Sequence, residues 1–109
     1  MTRRTFESEN NVAQSLEIER LIAIVAAAET GSAYLDLNKA STDYVNAIGE
    51  EASHEYNYEP DDNTHLNEHG GVVFGRMVAD LLQRKKTCLE QYITPDEELS
   101  DKIWNGLPA

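Results

Sequence analysis

Between Asn10 and Thr30, apolar side chains fall on one helical face: Ile18, Leu21, Ile22 and Val25 repeat at i, i+3, i+4 and i+7. The spacing predicts a helix over this stretch. Gln14 interrupts the stripe one turn early, and Gly31 stands where a left-handed residue ends a helix. The short run Ser32-Ala33-Tyr34-Leu35-Asp36-Leu37 reads as a buried strand. A second helix is predicted from Asn38 to Ala52, with Ala40, Tyr44, Ala47 and Ile48 on one side and Gly49 weakening its end. Ser53 to His65 is a polar loop rich in Asp and Asn, which favour turns through their own backbone hydrogen bonds. A third helix runs from Asn67, a good N-cap, to Lys86, with Val73, Phe74, Met77 and Leu81 inward. Arg84, Lys85 and Lys86 suit its negative C-terminal end. The tail from Cys88 to Ala109 carries acidic Asp96-Glu97-Glu98 and either forms a short helix through Leu99, Ile103 and Trp104 or stays loose.

Helix, strand, helix, helix is a slice of an α/β layered fold, mostly helical with one or two strands. A lone strand leaves its backbone amides unpaired, which is costly. A second strand hidden in the loop or tail, a sheet supplied by other chains, or membership of a larger domain would each resolve this.

Composition narrows the partners. Nine Lys and Arg stand against 20 Asp and Glu, a formal charge of −11, so nucleic acid and anionic membrane surfaces are not expected partners. At 109 residues, one small domain is expected. The single cysteine, Cys88, excludes an intrachain disulfide and fits a reducing compartment; it reads as a half-buried small side chain. Arg3 and Arg4 near the start are followed by polar residues rather than an apolar segment, so no signal peptide is expected and the compartment stays open.

The chemistry concentrates in Asp61-Asp62-Asn63-Thr64-His65-Leu66-Asn67-Glu68-His69-Gly70-Gly71. An Asp three residues before a His, on a loop entering a helix, lets the carboxylate of Asp62 accept the Nδ1–H of His65. That fixes the ring tautomer and supports the imidazolium formed when Nε2 takes a proton. The spacing alone also fits an Asx turn beside a surface His. His65, Glu68 and His69 spell H-x-x-E-H, an inverted zinc-protease pattern, but the expected helix start at Asn67 leaves His65 outside the geometry a zinc site needs. No metal and no cofactor is expected. Gly70 reads as a residue of close packing beside the loop. Tyr56 and Tyr58 fit either a carbohydrate-facing surface or cover for the core edge, and Arg3 and Arg4 either a substrate contact or a solvated loop.

The run from Tyr34 to Gly49, with Tyr34-Leu35-Asp36-Leu37-Asn38 and Ala40-Ser41, precedes Asp62-Asn63-Thr64-His65-Leu66-Asn67 and the helix to Leu82. Together these segments resemble the C-terminal part of fungal SGNH (GDSL-type) hydrolases, in particular the rhamnogalacturonan acetylesterase-like esterases. Thr2-Arg3-Arg4-Thr5-Phe6 resembles the segment that follows an inner strand of their sheet. The resemblance implies a three-layer, flavodoxin-like α/β fold with a parallel sheet. It implies a serine nucleophile in an early Gly-Asp-Ser motif, an oxyanion hole from its amide, a Gly and an Asn, and a final Asp-x-x-His. Asp62 and His65 match that last block: His65 as general base and then acid, Asp62 as its orienter. The substrate implied is an acetylated carbohydrate or other small ester, and such enzymes are usually secreted.

No Gly-Asp-Ser element precedes these segments, and none of Ser8, Ser15, Ser32, Ser41, Ser53 and Ser100 sits in a strand-to-helix nucleophile turn. Residues 1–87 are therefore expected to be the C-terminal portion of an esterase domain, inactive alone, with 88–109 as an acidic tail. Self-association through open sheet edges is expected. The alternative is a non-catalytic interaction protein derived from the family.

Overall fold

The computed structural model describes residues 1–85 and 88–109. The described residues form a mixed α/β arrangement of four α-helices and a two-stranded antiparallel sheet. The order is β1 (Phe6–Ser8), β2 (Asn11–Val12), α1 (Glu17–Thr30), α2 (Leu37–His54), α3 (Glu68–Arg84), a 3₁₀ turn at Glu90–Tyr92 and α4 (Glu97–Trp104). The expected place of Lys86 at the end of the third helix, and the boundary at Thr87, lie outside the described residues.

The first departure from the expected pattern is at the N-terminal end. The helix predicted from Asn10 begins only at Glu17, because residues 6–12 form a hairpin with Phe6 opposite Val12 and Ser8 opposite Asn11. Asn10 turns it at φ 57°, a left-handed conformation that Asn tolerates through its short polar side chain. Val12 is thereby driven into the core, and its amide donates to Asn46 Oδ1 at 2.8 Å.

The second departure concerns the stripe that predicted α1. Ile18, Leu21, Ile22 and Val25 do not face the core; they are 71%, 49%, 63% and 54% exposed. The inward side is set by Ala27, half-buried Ile24 and Arg20, whose guanidinium forms a bidentate ion pair with Asp36. Gly31 ends the helix at φ 66°, as its position implied, and its amide bonds the carbonyl of Ala28.

The third is the strand expected over Ser32–Leu37, which is not formed. These residues run as irregular backbone into α2, and Asp36 is the N-cap, accepting from the amide of Lys39. An Asp with its side chain committed to a helix end and to Arg20 has no place in a ladder. The described residues contain no parallel sheet; their only ladder is the β1–β2 hairpin, beside an isolated bridge between Asn57 and Leu66.

α2 and α3 carry the core. Tyr44 and Val45 of α2 meet Val73, Phe74 and Met77 of α3, with Val12, Tyr56 and Ile103 closing the cluster. At roughly 1.5–3 kcal/mol for each large apolar side chain, this small set is the main stabilising term. α2 bends at Gly49, whose φ of 80° and ψ of 176° interrupt the helical ladder. The tail is folded: Ile103 of α4 is buried, and Trp104 donates Nε1–H to Asp80 Oδ2 at 2.7 Å beneath the guanidinium of Arg84. Cys88 is exposed rather than half-buried, since α3 ends before it and leaves its side chain outside the core.

Candidate functional site

The loop between α2 and α3 is a built structure. Its base is closed by the bridge between Asn57 and Leu66, with the amide of Tyr58 donating to the His65 carbonyl at 3.1 Å and that of Asn67 to the Tyr56 carbonyl at 3.0 Å. Asn67 then caps α3, accepting from the amide of Gly70 at 2.8 Å. Gly70 is needed there: a Cβ would stand 2.9 Å from both Cβ and the carbonyl oxygen of Tyr56. Tyr56 is buried against Tyr44 and Phe74, its hydroxyl 2.8 Å from that of Tyr44. Burial pushes the Tyr44 hydroxyl well above the usual phenol range. Tyr56 thus belongs to the core, whereas Tyr58 is 65% exposed at the loop surface.

At the loop tip the structure brings Asp62 and His65 together as their spacing suggested. One carboxylate oxygen of Asp62 accepts the amides of Thr64 and His65 at 3.0 and 2.9 Å, and the other lies 2.8 Å from Nδ1 of His65. The His65 amide, then its ring, then the Thr64 amide hold the Asp62 carboxyl down at about 2. An ionised carboxylate only accepts, so the neutral ring carries its proton on Nδ1 and presents a lone pair at Nε2. The His65 side chain is 75% exposed, and Nε2 has no hydrogen-bond partner among the described residues. Such a ring can take a proton from a hydroxyl brought to it, with Asp62 stabilising the resulting charge.

No hydroxyl is brought to it by the described residues. Ser41 is buried and donates to the Leu37 carbonyl, Ser53 donates to Glu50, and Ser100 donates to Asp80. Ser8, Ser15 and Ser32 are exposed on the hairpin and on the segments flanking α1. His65 and His69 serve different partners: His65 precedes α3 and holds Asp62, while His69 Nε2 lies 2.7 Å from the Ala109 carbonyl. Among the described residues no three His, Cys, Asp or Glu side chains converge as a metal site.

Arg4, read as either a substrate contact or part of a solvated loop, is fully buried, while Arg3 is exposed. Arg4 Nε donates to Asn57 Oδ1 at 2.6 Å and a terminal nitrogen donates to the His65 carbonyl at 2.7 Å. Its amide donates to the Asn63 carbonyl at 2.9 Å, and its carbonyl accepts from His54 Nε2 at 2.8 Å. Asn57 and Asn63 are themselves joined at 2.8 Å. Sequence reading found Asp62 and His65 but missed Arg4, His54, Asn57 and Asn63; the one available signal was an Arg pair in a chain otherwise poor in positive charge.

Depressions open beside the loop and between α3 and α4. One of about 400 Å³, lined by His54, Asn57, Tyr58 and Glu59 among others, lies behind the loop. A larger one of about 500 Å³ lies between α3 and α4 around Arg76, Asp80 and Trp104, and His65 lines neither. No helix of the described residues is long and apolar enough to cross a membrane. Compared with known proteins, the chain matches no family model, no curated protein and no solved structure.

Proposed function

We propose that this chain carries the acid–base half of an SGNH-type esterase, with His65 as general base and then acid and Asp62 as its orienter. The observation that carries the reading is the Asp62–His65 geometry: a carboxylate fixed by two backbone amides, bonded to Nδ1, with Nε2 open to solvent. The substrate on this reading is an acetylated carbohydrate or another small ester. His65 would accept the serine proton during attack on the ester carbonyl and return it to the leaving alcohol. The serine would come from a segment beyond these residues, and the fold would be the three-layer α/β type.

The exposed stripe on α1 supports a larger domain. Four apolar residues at helical spacing, all about half exposed or more, form the face a helix uses to pack against another layer. Losing the nucleophile removes most of the catalytic gain of a triad, so the 109-residue chain would be inactive alone. An interaction protein derived from the same family is the second reading, favoured by the same bare stripe.

Sequencing the transcript on the 5′ side of Met1, then expressing the whole reading frame, decides between them. The esterase reading expects an in-frame Gly-Asp-Ser element and p-nitrophenyl acetate hydrolysis that His65→Ala abolishes. A transcript without that element, or activity indifferent to His65→Ala, overturns it. The 109-residue chain alone should not exceed the hydrolysis given by an equal concentration of free imidazole.

A further inference from the structure

Arg4 is an unusual object: a guanidinium with no exposed surface and no carboxylate within ion-pair distance among the described residues. Burying such a charge costs several kcal/mol unless its hydrogens are satisfied, and one terminal nitrogen has no partner among the described residues. Holding the N-terminal segment in place does not need a cation. Thr2 already does so with its amide on Ser41 Oγ at 2.8 Å, and the Arg4 backbone bonds Asn63 and His54. What the side chain adds is aimed elsewhere: Nε on Asn57 and a terminal nitrogen on the carbonyl of His65 itself.

We propose that Arg4 is a positioning residue for the Asp62–His65 pair, its buried fork fixing the His65 carbonyl from behind the loop so that the ring stays on Asp62. The inference rests on reading that pair as an acid–base couple. The geometry gives the reason. His65 is three-quarters exposed, so its ring has little packing to hold it, and the interior grips the residue by its backbone carbonyl. The fork and the amide of Tyr58 both donate to that one carbonyl, while Asp62 grips the amide and the ring of the same residue. Asn57 braces the fork and donates to Asn63 Oδ1, in the residue between Asp62 and Thr64. Burial draws the Arg4 guanidinium down from its ordinary value, and the nearby Asp62 carboxylate partly offsets this.

The test is the tautomer of His65, read at neutral pH from long-range ¹H–¹⁵N couplings in the labelled 109-residue chain. The wild type should carry its proton on Nδ1, and Asp62→Ala should release it to Nε2. A wild-type ring protonated at Nε2 overturns the acid–base reading itself. With the wild type as expected, Arg4→Lys keeps the charge and the stem but loses the fork, and should turn the single Nδ1–H species into a mixture. Asn57→Ala, which removes the brace and leaves Arg4 in place, should do the same in part. A folded Arg4→Lys or Asn57→Ala chain, judged by amide dispersion, whose His65 remains wholly Nδ1–H overturns the positioning role while leaving the esterase reading intact. Loss of stability alone, with the tautomer unmoved, counts as the same negative result.

Discussion

Replacing Asp80 by asparagine removes one charge and almost no volume from the contact between α3 and α4. The Asp80 carboxylate accepts from Arg76 Nε at 2.8 Å, Ser100 Oγ at 3.0 Å and Trp104 Nε1 at 2.7 Å, and its ion pair with Arg76 is 2.6 Å long. Both side chains are nearly buried, at 7% and 8% exposed. Asp80→Asn strands the Arg76 cation, whose remaining acceptor at good distance is the Thr94 carbonyl at 2.7 Å. Breaking one side of a buried pair costs about 3–5 kcal/mol. That is a large part of the roughly 5–15 kcal/mol available to a domain of this kind. At a urea dependence of about 1.5 kcal/mol/M the unfolding midpoint should fall by about 2–3 M. Trp104 is the only tryptophan, so its emission reports α4 docking directly and should shift to longer wavelength in the variant. Pairing Asp80→Leu with Arg76→Met should recover part of the loss, because it leaves no stranded charge but takes the acceptor from Ser100 and Trp104. A midpoint shift below about 0.5 M for Asp80→Asn, with Trp104 emission unchanged, would refute the reasoning.

Gly70→Ala should destabilise by about 1–3 kcal/mol despite alanine's better helix propensity, because the added Cβ meets the Tyr56 backbone; thermal unfolding of the folded variant checks this. Asp62 gives a pH signature with a definite sign. Its folded carboxyl sits at about 2 against an ordinary 3.8, so its contribution to stability is complete above the ordinary value and is lost as pH falls through the folded one. The stability gap between wild type and Asp62→Asn should therefore be constant near neutrality and close on acidification toward the folded value. A gap that widens in acid contradicts the assigned geometry.

What was legible in the sequence was local. Asn67 with Val73, Phe74 and Met77 announced α3, because a cap and a 3.6-residue period lie within one element. Gly31 and the Asp62–His65 pair were legible for the same reason, their partners being three or four residues away. The hairpin was not, since strands of three and two residues carry no readable alternation. Arg4 was not, because its acceptors are 53 and 61 residues distant and nothing near it signals burial. The α1 stripe was read as one apolar helical face; the helix forms over Glu17–Thr30, and that face is exposed. Periodicity defines a face, but only tertiary partners decide what it meets. Leu35 and Leu37 suggested a strand until Asp36 took the role of a cap.

The strap formed by Thr2 and Arg4 has a consequence for the order in which the molecule assembles. The grip of Asp62 on His65 spans three residues, and such a turn flickers into place in tens of nanoseconds even in an otherwise unfolded chain. Thr2 reaches Ser41, and Arg4 reaches His54, Asn57 and His65, across 39 to 61 residues. Each doubling of a closed loop costs roughly 0.6 kcal/mol, and these closures are rewarded only after α2 and α3 have met. The Asp62–His65 pair is therefore among the earliest local structures to form and among the last to be locked. Amide exchange at Thr64 and His65 should follow the docking of the N-terminal strap, and not the melting of the helices on either side.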